Sequence, residues 1–245
     1  MIRLVGRVIL IVAGLLFCLP FHYAWKLLRR PSPWPRRFLW WVGRASGVRA
    51  TINGTPLPSQ VLFLANHLSW LDIMVLAGAS GTAFVSKDEV GRWPVLGWLA
   101  RLNNTVFIAR SDRKSVRGQA DALRAALASG QPVALFPEGT TEGGTDVLPF
   151  RASLLQSLFP PLPDLKVQPV ALDYGDAGEE IAWTGEERAG ANARRVLSRP
   201  GTIQALIHFL EPIEPANLGD RKSLAERARS EILVALASAP AADRL

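Results

Sequence analysis

Cysteine is nearly absent: the 245 residues hold one, Cys18, inside an apolar run. A single thiol excludes an internal disulfide and any cysteine-based metal spacing, and it leaves the body of the chain compatible with a reducing, cytoplasmic compartment. Acid is missing from the whole N-terminal stretch. Arg3, Arg7, Lys26, Arg29, Arg30, Arg36, Arg37, Arg44 and Arg49 all precede the first carboxylate, Asp72. Everything after Leu71 holds all 21 acids and is slightly acidic, so the formal net charge of +7 belongs to the N-terminal segment. No internal period marks a repeat protein. A composition that is 49% hydrophobic excludes a disordered chain and allows one sizeable core.

What the N-terminus does contain is a long apolar run. Val8 to Leu28 reads VILIVAGLLFCLPFHYAWKLL, free of charge as far as Pro20. That is close to the roughly 20 residues a helix needs to cross the hydrocarbon core. Arg29-Arg30, a Pro-rich break (PSPWP) and a second short segment, RRFLWWVG, follow. Paired tryptophans between arginines suit a membrane interface. No small-x-small cleavage site closes the run, which argues against a signal peptide. A spanning anchor and a helical hairpin entering one leaflet both fit, and Pro20 with the second segment favours the hairpin. The basic downstream flank places the body on the cytoplasmic side. A basic surface could also serve nucleic acid, but these cations border an apolar run and the body is not basic, so no nucleic-acid partner is expected.

From about residue 48 the pattern changes to short β-branched runs alternating with amphipathic stretches. Segments 48–53, 61–66, 82–87, 104–109, 132–136, 167–172 and 202–209 read as strands; 70–79, 94–102, 113–129 and 221–238 read as helices. Region 174–200 reads as an irregular insertion with a short helix. The alternation predicts an α/β fold with a mixed, largely parallel sheet flanked by helices, preceded by a membrane-associated helical segment.

Three short signals fall at strand ends, where α/β proteins place their sites. The first is Asn66-His67-Leu68-Ser69-Trp70-Leu71-Asp72. With His67 in a turn and Asp72 in the first helical turn, the carboxylate can fold back onto the imidazole and fix its tautomer. The plainer reading is a capped helix beside a surface histidine. The second is Phe136-Pro137-Glu138-Gly139-Thr140-Thr141, in which Gly139 permits close backbone approach and Glu138 either binds an acceptor or holds the loop. The third is TVFIAR, ending at Arg110, with Lys87 ending the preceding strand; two cations at that edge suit an anionic headgroup, while salt bridges with nearby acids are the plainer reading.

Taken together and in this order, the three signals resemble the blocks of the glycerolipid acyltransferases, which include the 1-acylglycerol-3-phosphate acyltransferases. NHLSWLD is similar to the first block, with His67 and Asp72 matching its catalytic pair. TVFIAR is similar to the second, with Arg110 matching an arginine that contacts the acceptor phosphate. FPEGT is similar to the third, with Glu138 and Gly139, followed by Thr140, matching acceptor-binding positions. VQPVAL, with Pro169, is similar to the fourth. The resemblance covers roughly 45–215 and implies an anchor over 1–45 and an acyltransferase domain over 46–245. It departs at Asn104, where the family has glycine, and at Thr141-Glu142, where the family continues with arginine and serine. The run FPEGTTEGGTDVLPFRASLL looks more like a branch that acylates lyso-ornithine lipid.

The resemblance implies a membrane enzyme of the inner membrane. It would move a fatty acyl group from acyl-CoA or acyl carrier protein onto the free hydroxyl of a lysophospholipid such as 1-acylglycerol-3-phosphate, with lyso-ornithine lipid as the alternative acceptor. A non-catalytic membrane-binding domain is the remaining alternative. No G-x-S-x-G nucleophile motif is present and the one cysteine lies in the apolar run, so direct transfer is expected, with neither metal nor cofactor.

Overall fold

The structure is a computed structural model that describes residues 1–108, 123–128, 130–141, 146–185 and 187–238. Arg110 and all but 123–128 of the expected helix 113–129 lie outside the described residues.

Two helices open the chain, α1 (Ile2–Leu27) and α2 (Trp34–Ala45). An α/β body follows: β1 (Val48–Asn53), β2 (Val61–Ala65), α3 (Leu71–Ser80), β3 (Ala83–Lys87), α4 (Asp88–Gly91), α5 (Pro94–Leu102), β4 (Val106–Ile108), α6 (123–128), β5 (Val133–Leu135), a 3₁₀ turn (Ala152–Leu158), β6 (Lys166–Asp173), α7 (Ala177–Ile181), α8 (Ala189–Ser198), β7 (Ile203–Phe209) and α9 (Arg221–Ser238). The strands form one sheet in the order β1-β7-β6-β2-β5-β3-β4. Strands β2 to β6 run parallel; β7 pairs antiparallel with β6, and β1 follows β7. The expected mixed, largely parallel sheet is therefore present.

Sequence character explains the placement. All of β2, VLFLA, is buried, as befits a central strand covered on both faces. One face carries α3, α7 and α8, packed through Leu71, Val75, Leu76, Ile181 and Val196. The other carries α6, the 3₁₀ turn and α9, packed through Leu123, Leu127, Leu155, Leu224 and Ile232. Region 174–200 is more regular than its composition suggested: it forms two helices. Only Asn192, Val196 and Leu197 of α8 are buried, too few for an apolar stripe to stand out. Polar contacts supply the rest. Asn192 Nδ2 donates to Ala182 O and to Glu187 Oε2, and Arg195 pairs with Glu187 at 2.7 Å.

The N-terminal pair is seated on α3. Arg36 donates to the carbonyls of Gly78 and Ala79 at 3.0 and 2.6 Å, satisfying the free end of that helix. Gly78 lets α2 approach closely, since a Cβ there would lie 2.9 Å from the Cα of Trp40. Helix α1 lies along α2: Trp41 Nε1 donates to Leu10 O at 2.8 Å, Phe21 stacks on Trp34 at 4.7 Å, and Ile11, Leu15 and Cys18 pack near Phe38 and Val42. Near its start, Arg7 donates to Val196 O, Leu197 O and Gly201 O, each at 3.2 Å. Gly78→Val is expected to push α2 off α3 and cost about 1–3 kcal/mol by overpacking. Chemical unfolding in detergent micelles measures this; wild-type stability in the variant would contradict the packing described.

Candidate active site

Three adjacent parallel strands, β5, β2 and β6, end at one edge of the sheet and deliver the site. Beyond Ala65 the chain leaves β2 through Asn66. Its buried side chain donates to Leu172 O at 2.9 Å and accepts from Leu172 N at 2.8 Å, extending the pairing with β6 by one residue. His67 to Trp70 then form a non-helical loop before α3.

Asp72, the second residue of α3, turns back into that loop. Its Oδ2 lies 2.8 Å from His67 Nδ1 and accepts the backbone N–H groups of Leu68 and Ser69 at 2.7 and 2.8 Å. Its Oδ1 accepts the phenol O–H of Tyr174, just past β6, at 2.7 Å. Asp72 has no exposed surface. A carboxylate surrounded only by donors requires His67 Nδ1 to carry the proton, which leaves the lone pair on Nε2. The His67 side chain keeps 17% of its surface exposed, and Nε2 has no hydrogen bond among the described residues. The ring lies flat on Phe136, with centroids 3.9 Å apart and planes at 10°. The arrangement can present a fixed, basic nitrogen to a hydroxyl proton. Asp72 also accepts backbone N–H groups of the loop, so holding the loop and contacting the imidazole are done by one group.

Glu138 comes from the loop after β5. Its Oε1 accepts His67 N–H at 2.7 Å and its Oε2 accepts Leu148 N–H at 2.8 Å, with 2% of the residue exposed. Each oxygen takes one backbone N–H, so the carboxylate ties the two loops together. Gly139 adopts φ +76°, which favours glycine. The Arg151 side chain lies against it, 3.4 Å from where a Cβ would stand.

A family model for acyltransferases matches residues 49–173, just over half of the chain and a stretch that contains His67, Asp72, Phe136 and Glu138 and ends one residue before Tyr174. The chain belongs to the acyltransferase family. Two relatives are lyso-ornithine lipid O-acyltransferases. That of Rhodobacter capsulatus is 34% identical over 84% of this chain and 80% of its own; that of Brucella abortus is 32% identical over 95% of each. A 1-acyl-sn-glycerol-3-phosphate acyltransferase from Neisseria meningitidis is 34% identical over 74% of this chain and 71% of its own. The crystal structure of the 1-acyl-sn-glycerophosphate acyltransferase from Thermotoga maritima shares the fold, with a TM-score of 0.65, 20% identity and 96% coverage of both chains.

In this acyltransferase the sequence-selected residues divide into groups. His67, Asp72 and Glu138 come together directly. Gly139 and Thr140 continue the Glu138 loop. Lys87 ends β3, whose parallel course brings it to the same edge of the sheet, with no described contact to the His67 cluster. Arg110 lies outside the described residues. Asn66 and Phe136, which open two of the sequence signals but were given no role there, and Tyr174, which lies outside them, also contribute to the cluster. Only the extra polar residue immediately after a buried strand could have marked Tyr174.

Burial and the neighbouring Asp72 carboxylate push the Tyr174 phenol well above its ordinary 10.0, so it stays a neutral donor. Tyr174→Phe strands one oxygen of a buried carboxylate and is expected to cost about 1–3 kcal/mol, measured by thermal unfolding in detergent. Burial also raises the Glu138 carboxyl above 4.5, partly offset by the Leu148 and His67 N–H groups. The native state therefore holds this proton more tightly than the unfolded chain, and the stability it contributes falls as pH rises through the raised value. The unfolding free energy of wild type relative to Glu138→Gln is expected to decrease as pH rises above 4.5; an increase would contradict the assignment.

Proposed function

We propose that this acyltransferase moves a fatty acyl group from a thioester, acyl-CoA or acyl carrier protein, onto the free hydroxyl of a lysolipid, with His67 as general base and lyso-ornithine lipid as acceptor. One observation carries the chemistry: His67 Nδ1 is held by a fully buried Asp72 while Nε2 has no hydrogen bond among the described residues and the ring stays partly exposed at the strand ends. His67 Nε2 takes the hydroxyl proton as the alkoxide oxygen bonds to the thioester carbonyl carbon. The tetrahedral intermediate then collapses, the C–S bond breaks, and the proton passes to the departing thiolate. Asp72 orients the ring and balances the imidazolium. Phe136 supports its lower face, and Glu138 fixes the backbone of His67. Lys87, Arg110, Glu138, Gly139 and Thr140 are assigned to substrate binding. No metal or cofactor enters this reading.

Lyso-ornithine lipid is preferred as acceptor because Thr141 stands where the glycerophosphate-acylating pattern carries arginine, and because relatives so named match up to 95% of the chain. The second reading, 1-acylglycerol-3-phosphate, is favoured by the Neisseria relative at 34% identity.

The apolar α1 and the lipid-acting relatives point to membrane association. We place the body on the cytoplasmic face of the inner membrane, with α1 lying in one leaflet. Support comes from the ties along the helix: Arg7 and Leu10 near its start and Phe21 near its end all contact the folded body or α2, leaving an outward face of Val5, Val8, Ile9, Val12, Leu16 and Phe17 for lipid.

His67→Ala is expected to lower acyl transfer by about 10²- to 10⁴-fold while the protein still folds and is recovered with membranes; near-normal turnover would sink the mechanism. Membranes carrying the protein, given labelled acyl thioester and each lysolipid in turn, should label ornithine lipid. Labelling of phosphatidic acid alone would decide for the second reading.

A further inference from the structure

Helix α5 exposes an apolar tip that the catalytic reading does not use. Arg92, Trp93, Pro94, Val95 and Leu96 are consecutive exposed residues, with Trp93 at 42%, Val95 at 60% and Leu96 at 51% of their full exposure. A three-residue apolar patch at a helix start invites an occupant. The fold fixes the tip rigidly. Gly97 is buried against the carbonyl of Gly91, with no room for a Cβ, and Arg101 donates to that same carbonyl at 2.6 Å.

The tip also continues a surface already assigned to lipid. Leu99, three and four positions beyond Leu96 and Val95 and so on the same side of α5, packs against the small cluster of Cys18, Phe38 and Val42 that joins α1 to α2. The apolar stripe of α5 therefore runs outward from the root of the α1–α2 pair. Its charges argue against an acidic protein as the occupant. Arg92 is paired with Asp88 at 2.5 Å, and Arg101 is committed to Gly91. Beside the paired Arg92, the outward groups are an indole, a proline ring and two aliphatic chains, the composition of an interfacial contact.

We infer that the α4–α5 tip is a second lipid-contact point, in which Trp93, Val95 and Leu96 enter the boundary between headgroups and acyl chains of the leaflet occupied by α1. This rests on the proposed membrane placement of α1. Two contacts at different places on the body fix its tilt, where one helix alone would leave it free to rock.

Full-length protein with Cys18→Ala carries one new cysteine at a time: Val95→Cys, Val12→Cys on the outward face of α1, or Lys222→Cys on α9, across the sheet. Each is labelled with a polarity-sensitive fluorophore and added to phosphatidylcholine–phosphatidylglycerol vesicles containing acyl-chain nitroxide lipid. Positions 95 and 12 are expected to shift to the blue and to be quenched at least about twofold more than position 222. Quenching at 12 with position 95 behaving like 222 overturns the inference and leaves the membrane reading standing. Quenching at neither overturns both. A blue shift at 95 that appears without vesicles as protein concentration rises, or only on adding acyl carrier protein, assigns the tip to a protein partner and overturns it.

Discussion

The buried carboxylate of Asp72 is the constraint on which the site depends. It accepts four donors: the His67 ring, the backbone N–H groups of Leu68 and Ser69, and the Tyr174 hydroxyl. A carboxylate with no water contact is tolerable only when its lone pairs are filled. Filling them fixes the shape of the loop between β2 and α3. His67 and Asp72 are five residues apart, a spacing that would separate them on a regular helix. They meet because residues 67–70 are not helical and the carboxylate points back along the chain. The imidazole geometry is thus a consequence of satisfying one buried charge.

Topology brings the remaining parts within reach. β5 inserts between β2 and β3, and β6 takes the other side of β2. The loop that carries His67 is therefore flanked by the ends of both strands. Glu138 reaches across 71 positions of sequence and Tyr174 reaches Asp72 across 102. Each contact is short, at 2.7 Å, and each joins a different strand end to the same loop. Phe136 closes the underside of the imidazole at 3.9 Å. A general base whose ring is braced by a neighbour on each side loses little freedom when substrate arrives, the condition under which positioning contributes to rate.

Much of this was legible in the chain. Seven β-branched runs became seven strands because a sheet covered on both faces demands continuous apolar residues, as VLFLA in β2 shows. The His67–Asp72 pair was legible because a strand, a polar turn and an apolar helix leave few shapes for the turn. Other parts were hidden for physical reasons. Helix α8 buries only three residues and is held by Glu187, Asn192 and Arg195, so it left no hydrophobic period. Tyr174 is one aromatic after a strand, and its role exists only when β6 lies beside β2. Glu138 read equally well as a ligand group or a loop tie; its two backbone donors, His67 and Leu148, meet it only in the folded chain, so no sequence pattern shows the tie.

Helix α3 links the chemistry to the membrane. Its first turn carries Asp72, and its last turn carries Gly78 and Ala79, whose carbonyls take the Arg36 guanidinium while Trp40 closes over Gly78. Six residues separate the two ends, about 9 Å along the axis. A lysolipid presents its hydroxyl near the headgroup boundary, so a base of fixed geometry works only if the body sits at a matching depth. A flexible tether would set no depth. The α1–α2 pair rests on the same helix that carries Asp72, so under the proposed membrane placement the depth of the body and the orientation of the imidazole are linked through less than two turns of α3.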